Sequence, residues 1–132
     1  VHNDSHKFES NFVSLEIPKN NSVMFGSLSG TKLGVWVAHG EGKFEFPYEE
    51  KQYNIIDKYN YDGYPANPNG SPWSVAGVCS KDGRHLAMMP HPERAIFPWQ
   101  CGYYPADRKE NDEVTPWIEA FVNARKWIEN NK

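Results

Sequence analysis

Leu33-Gly34-Val35-Trp36-Val37-Ala38-His39-Gly40-Glu41-Gly42 is the stretch whose reading decides the fold. Its first six residues are apolar or glycine, with no charge between them. A strand buried on both faces reads this way, as in the middle of an α/β sheet. The run then meets Gly40 and Gly42, which let the backbone turn sharply at a strand end. Upstream, Val13, Leu15 and Ile17 alternate with Ser14 and Glu16, the pattern of a half-buried strand. Residues 1–10 are polar and read as loop, and Pro18 to Ser22 is a turn cluster. Downstream, residues 43–72 are rich in Tyr, Asn, Pro and Gly. They predict a short strand around 55–59 and irregular chain from Tyr64 to Ser71. Residues 74–80 read as a strand, Lys81-Asp82-Gly83-Arg84 as a tight hairpin turn, and 85–90 as the partner strand. Residues 98–112 read as loop. The chain then predicts a helix with Thr115 as N-cap and Pro116 at its first position. Trp117, Ala120, Phe121, Ala124, Trp127 and Ile128 form its apolar stripe.

The 132 residues suit one domain or a piece of one. A net charge of −3 argues against an electrostatic nucleic-acid binder, which needs an excess of base. Hydrophobic content is modest at 39%, but aromatic residues reach 14%, enough large rings to fill a core and to argue against disorder. No apolar run approaches the ~18 residues of a membrane-spanning helix, and no secretory leader is visible. The chain begins at Val1 rather than Met and reads as a fragment or a trimmed product. Cys79 and Cys101 are too few to staple a domain of this size. Reduced thiols in the cytoplasm are one reading. A single disulfide in a secreted protein is the other, nominally favoured by N-x-S sequons at Asn3, Asn20 and Asn69.

Chemistry concentrates in two His-x-Glu pairs. In His91-Pro92-Glu93, proline restricts the backbone, and residues two apart in extended chain point the same way. A carboxylate beside an imidazole orients one tautomer and stabilises the imidazolium, as a general base requires. The same spacing also suits a surface turn with an incidental His and Glu. His39-Gly40-Glu41 repeats it after another strand, so both pairs could lie at one end of one sheet, where open α/β sheets bind ligands. His39, Glu41, His91 and Glu93 could also hold a metal ion. Neither cysteine looks nucleophilic. Cys79 follows Gly77 as in an elbow, but Lys81 occupies the second glycine position and a hairpin follows instead of a helix. Cys79 therefore reads as a buried, inert strand cysteine, and Cys101 sits in loop. The aromatics at 97–104 (Phe97, Trp99, Tyr103, Tyr104) read either as a recognition surface or, in preference, as cover for a sheet edge.

Four segments, taken in order, are specific. They are Gly34 to Gly42, Tyr64-Pro65-Ala66-Asn67-Pro68-Asn69-Gly70-Ser71, Ala76 to Arg94 with its Met88-Met89-Pro90-His91-Pro92-Glu93-Arg94 run, and Asn123-Ala124-Arg125-Lys126-Trp127. Together they resemble the C-terminal end of the class I, or triad, glutamine amidotransferase domain of the large single-chain phosphoribosylformylglycinamidine synthases. The resemblance implies an α/β fold: part of a flavodoxin-like, three-layer domain with a mixed sheet. Residues 1–132 would be its C-terminal portion, the nucleophile-bearing N-terminal half being absent. It implies that glutamine is hydrolysed through a cysteine thioester and that the ammonia converts formylglycinamide ribonucleotide to its amidine. His91 would be the base and Glu93 its orienting carboxylate. His39, Gly40, Glu41 and Gly42 would lie near the glutamine pocket. Where the family tends to carry an arginine after Phe8-Glu9, Asn11 stands here.

On this reading the chain needs no cofactor or metal of its own, ATP and Mg²⁺ belonging to the synthase domain. Its partners are glutamine and the rest of the synthase chain, with neither nucleic acid nor membrane involved, and its compartment is the cytoplasm. Without its upstream half it should not hydrolyse glutamine, and an exposed edge or apolar patch should favour self-association. Two rivals remain: a non-enzymatic docking or structural module, and a metal-dependent hydrolase built on the two His-x-Glu pairs.

Overall fold

The computed structural model describes residues 1–132. Five strands form one sheet: β1 (Glu9–Ile17), β2 (Thr31–His39), β3 (Asn54–Tyr59), β4 (Val75–Cys79) and β5 (Leu86–Met88). Their order across the sheet is β2-β1-β3-β4-β5. A single helical turn, α1 (Ala106–Lys109), precedes the main helix, α2 (Ile118–Asn130). The α/β class read from the sequence stands. Every pairing among these strands is antiparallel, so these residues contribute no parallel pair to the expected mixed sheet.

The alternation in β1 produces the core. Val13, Leu15 and Ile17 are buried, and Val35 and Val37 of β2 lie on the same side. Phe25, Leu28, Trp117 and Ala120 close over them, with Phe25 and Trp117 meeting edge to face at 5.7 Å. Burying such side chains stabilises by about 1.5–3 kcal/mol each.

The reading of β2 as a strand buried on both faces in mid-sheet is corrected. It is an edge strand, and its burial alternates: Val35 and Val37 are inside, while Leu33, Trp36 and Ala38 are partly exposed. Its second face is apolar because Trp36 stacks edge-on against Phe12 at 5.0 Å and donates its indole N–H to Gln100 O at 2.7 Å. A Cβ on Gly34 would lie 2.5 Å from the Phe12 ring, so the glycine there makes room for an aromatic.

The hairpin from β4 to β5 forms as read. Gly83 takes φ +75°, and Asp82 Oδ1 accepts from Ser80 Oγ and the Arg84 amide. The helix starts later than read. The Thr115 hydroxyl does not cap it but donates to Ala95 O at 2.5 Å, and Pro116-Trp117 form a lead-in turn. Only the start of the stripe is covered, since Phe121 and Ile128 are exposed. No helix is long and apolar enough to cross a membrane.

Asp57 is the anomaly of the core. It is fully buried on β3 beside a register shift, and neither carboxylate oxygen has a hydrogen-bond partner. A Cβ on Gly77 would lie 2.6 Å from its Oδ1. Burial without a partner pushes its pKa up to about 7. A carboxyl whose pKa is raised by folding is compatible with the fold when protonated. Stability should therefore fall as pH rises from about 4 to about 7 and level off above, by at most about 4 kcal/mol. Asp57→Asn removes the ionisation. In denaturant titrations across that range, the wild type should lose stability relative to this variant. Parallel curves would show that folding leaves the Asp57 pKa where it is in the unfolded chain.

Candidate active site

Met88 ends β5, and the chain then turns toward the opposite edge of the sheet. The His91 amide donates to Trp36 O at 2.8 Å, an isolated antiparallel bridge onto β2. Pro92–Arg94 then forms one 3-10 turn, closed by the Arg94 amide on His91 O and the Ala95 amide on Pro92 O. This turn swings Glu93 back, so that His91 Nδ1 donates to Glu93 Oε1 at 2.8 Å. The contact expected from the sequence is present, but a turn makes it rather than extended chain. With Nδ1 committed to the carboxylate, Nε2 is the nitrogen that holds a lone pair. The imidazole is 29% exposed and the carboxylate 55%.

His39, at the end of β2, lies next to this pair. The His39 and His91 rings are 6.4 Å apart between centroids. His39 Nε2 donates to Asn69 Oδ1 at 2.9 Å, and Asn69 Nδ2 donates to the Tyr59 hydroxyl at 2.7 Å. Burial holds the His39 imidazole below its ordinary pKa. The neighbouring His91 pushes the same way, against the upward pull of the Asn69 bond, the Met89 backbone carbonyl and Glu9. Glu9 stands directly across the ladder from His39. It is buried, its Oε1 has no partner, and its Oε2 lies 3.4 Å from the Tyr64 hydroxyl.

The loop after His39 is pinned by Asn3. This fully buried amide donates to Lys7 O and His39 O and accepts from the Gly42 amide at 3.0 Å. The Asn3 amide N–H also donates to Gly40 O at 3.0 Å. Gly42 is required by contact: a Cβ there would lie 2.2 Å from the His39 ring. Gly40 has open space around it.

Of the residues singled out from sequence, His39, His91 and Glu93 come together and Gly42 walls them. Glu41 does not join them. It points outward, 3.4 Å from His2, and is 69% exposed. The four side chains of the metal-hydrolase rival therefore do not converge, and no group of three His, Cys, Asp or Glu has the arrangement to hold a metal ion. Both cysteines are free. Cys79 Sγ accepts from Asn54 and Cys101 donates to Phe97 O, and burial pushes both thiols up, away from the thiolate. The larger hollows lie elsewhere. One of about 430 Å³ lies between Phe12, Lys32 and Tyr103, and one of about 530 Å³ surrounds Asn54 and Cys79. The aromatic stretch is not flat cover: Phe97 and Trp99 stack on each other, and Trp99 and Tyr103 face solvent.

Sequence reasoning missed Asn3, Asn69 and Glu9 as parts of this site. Asn69 sat within a quoted loop, and the sequons at Asn3 and Asn69 marked both amides for the wrong reason. Both are buried and bonded at each end, which leaves no room for a glycan in the folded chain.

Comparison with known proteins places the chain in a family. The chain is 43% identical, over 98% of its length, to a probable phosphoribosylformylglycinamidine synthase, chloroplastic/mitochondrial, from Arabidopsis thaliana. It is 43% identical over 96% of its length to the phosphoribosylformylglycinamidine synthase of Homo sapiens. It spans 10% of the length of each of these relatives. The structure of PurLQS from Thermotoga maritima matches 97% of the chain with a TM-score of 0.73 at 25% identity, over 51% of that chain. Residues 1–128 match the CobB/CobQ-like glutamine amidotransferase domain, and the chain belongs to that family.

Proposed function

We propose that this chain supplies the general base and its orienting carboxylate to the glutaminase of a phosphoribosylformylglycinamidine synthase. The observation that carries the reading is the 2.8 Å contact of His91 Nδ1 with Glu93, which leaves Nε2 available. Residues 1–132 are then the C-terminal portion of the domain. An upstream half brings the cysteine to the exposed part of His91, whose side chain is 29% open to solvent.

The chemistry follows from the dyad. His91 Nε2 takes the proton of the incoming thiol, and the thiolate attacks the carboxamide carbon of glutamine. The resulting imidazolium, stabilised by Glu93, returns its proton to the departing nitrogen. Ammonia leaves and a γ-glutamyl thioester remains. His91 then deprotonates water, which attacks the thioester and releases glutamate and the thiol. The loop Gly40 to Gly42 and the His39 ring form one wall of the glutamine pocket. The ammonia passes to the synthase part of the chain, where it converts formylglycinamide ribonucleotide to the amidine. ATP and Mg²⁺ act there. Two free thiols suit a reducing compartment such as the cytoplasm. The unpaired edge of β5 and the exposed Phe121 and Ile128 offer surface to the upstream half or, without it, to a second copy.

Two outcomes are expected. The purified chain alone should release no ammonia from glutamine, and joining it to the upstream half should restore turnover. Steady release by the chain alone, lost in Cys79→Ser or Cys101→Ser, would overturn the assignment. In the joined enzyme, Glu93→Gln should lower kcat by about 10²- to 10⁴-fold with little change in KM. Unchanged kcat would remove Glu93 from the mechanism.

A further inference from the structure

We propose that His39 is a positioning residue for His91: Asn69 and the slot left by Gly42 hold its ring, uncharged, beside the dyad, so that His91 alone takes up the proton of the reaction. This rests on the reading of His91 and Glu93 given above. It names a role for a residue that the catalytic steps do not use.

Geometry carries the inference. The two imidazoles are 6.4 Å apart and tilted by 39°. The His39 ring is fixed at Nε2 by Asn69, and Asn69 cannot swing away. Its side chain is fully buried, its Nδ2 is held by Tyr59, and its backbone oxygen accepts from the Asp4 amide at 3.1 Å. The Gly42 position admits no Cβ, so the ring packs directly against the backbone there.

The two rings differ in partner. His91 faces a carboxylate, which stabilises its imidazolium, whereas His39, half-buried, faces only uncharged acceptors, the Asn69 amide and the Met89 backbone carbonyl, whose upward pull burial and His91 together outweigh. The other ionisable groups around them do not reverse this. Glu9 on β1 favours a charged His39 but is outweighed by burial and by His91. Tyr59 on β3 reaches the ring only through Asn69. Arg94, on the same turn as the dyad, lies 4.0 Å from Glu93. A cation at the distance of His39 would make protonation of its neighbour harder by about 0.5–2 pH units.

The first test is an imidazole nitrogen NMR titration of the chain. His39 should remain neutral and protonated at Nε2 at pH 6.5, with a midpoint below that value. A midpoint at or above the ordinary 6.5 overturns the proposal. The second test reads the acid limb of kcat/KM for glutamine in the full-length synthase carrying these residues. His39→Gln, which is neutral and can still donate to Asn69, should lower the plateau and leave the limb in place. His39→Lys should move the limb to lower pH by about 0.5–2 units. Equal displacement by both variants, or by neither, overturns the proposal. If the variants fail to fold, the wild-type titration still decides. If wild-type synthase releases no ammonia from glutamine, the function reading falls first, and the His39 titration reports separately.

Discussion

One main-chain hydrogen bond, from the His91 amide to the Trp36 carbonyl, joins the parts of this site. It ties a segment that has just left β5, at one edge of the sheet, to β2 at the other. It sets the register of the His91–Glu93 turn against the strand that carries His39. The bond is available because β2 is an edge strand with carbonyls facing outward. The same edge receives the Gln100 carbonyl on the Trp36 indole, and Gln100 Oε1 accepts in turn from the Ile96 and Phe97 amides. The exposed face of one strand thus anchors the whole stretch from 91 to 100.

Buried amides do the rest of the positioning. The Asn3 side chain satisfies three backbone groups, one in its own segment and two at the distant end of β2 and the loop after it, and Asn69 links His39 to Tyr59. Each such bond contributes about 1 kcal/mol net, while a buried group left without its partner costs about 1–3 kcal/mol. The network therefore favours one arrangement chiefly by making alternatives expensive. Gly42 and Gly70 serve the same end by absence. A Cβ at 42 would strike the His39 ring and one at 70 would strike Asp4, and Gly70 in addition takes φ +76°.

Two carboxylates break the rule that buried polar groups are bonded, and they do so differently. Glu9 lies at the site, opposite His39, with one oxygen near the Tyr64 hydroxyl. Asp57 lies deep between β3 and Gly77 with neither oxygen satisfied. The first belongs to the electrostatics of the two imidazoles. The second is a property of the core, because its solution is to take up a proton rather than a partner.

Local chemistry was legible from the residues alone. Period-two alternation placed β1, an Asp-Gly pair placed the hairpin, and His91-Pro92-Glu93 announced an imidazole beside a carboxylate. These depend on neighbours within a few positions, where backbone geometry leaves few choices. The apolar run of β2 misled because continuous hydrophobicity records only that both faces are covered, and here a tryptophan and a phenylalanine cover one of them at the rim. Glu41 misled because a glycine on each side lets it turn to solvent. What only the tertiary structure decided is which distant groups meet: His39 with His91, Asn69 with His39, and Asn3 with the loop it holds. Those pairings lie tens of residues apart and are made by a ring contact or by a few hydrogen bonds, which leave no periodic trace in the chain.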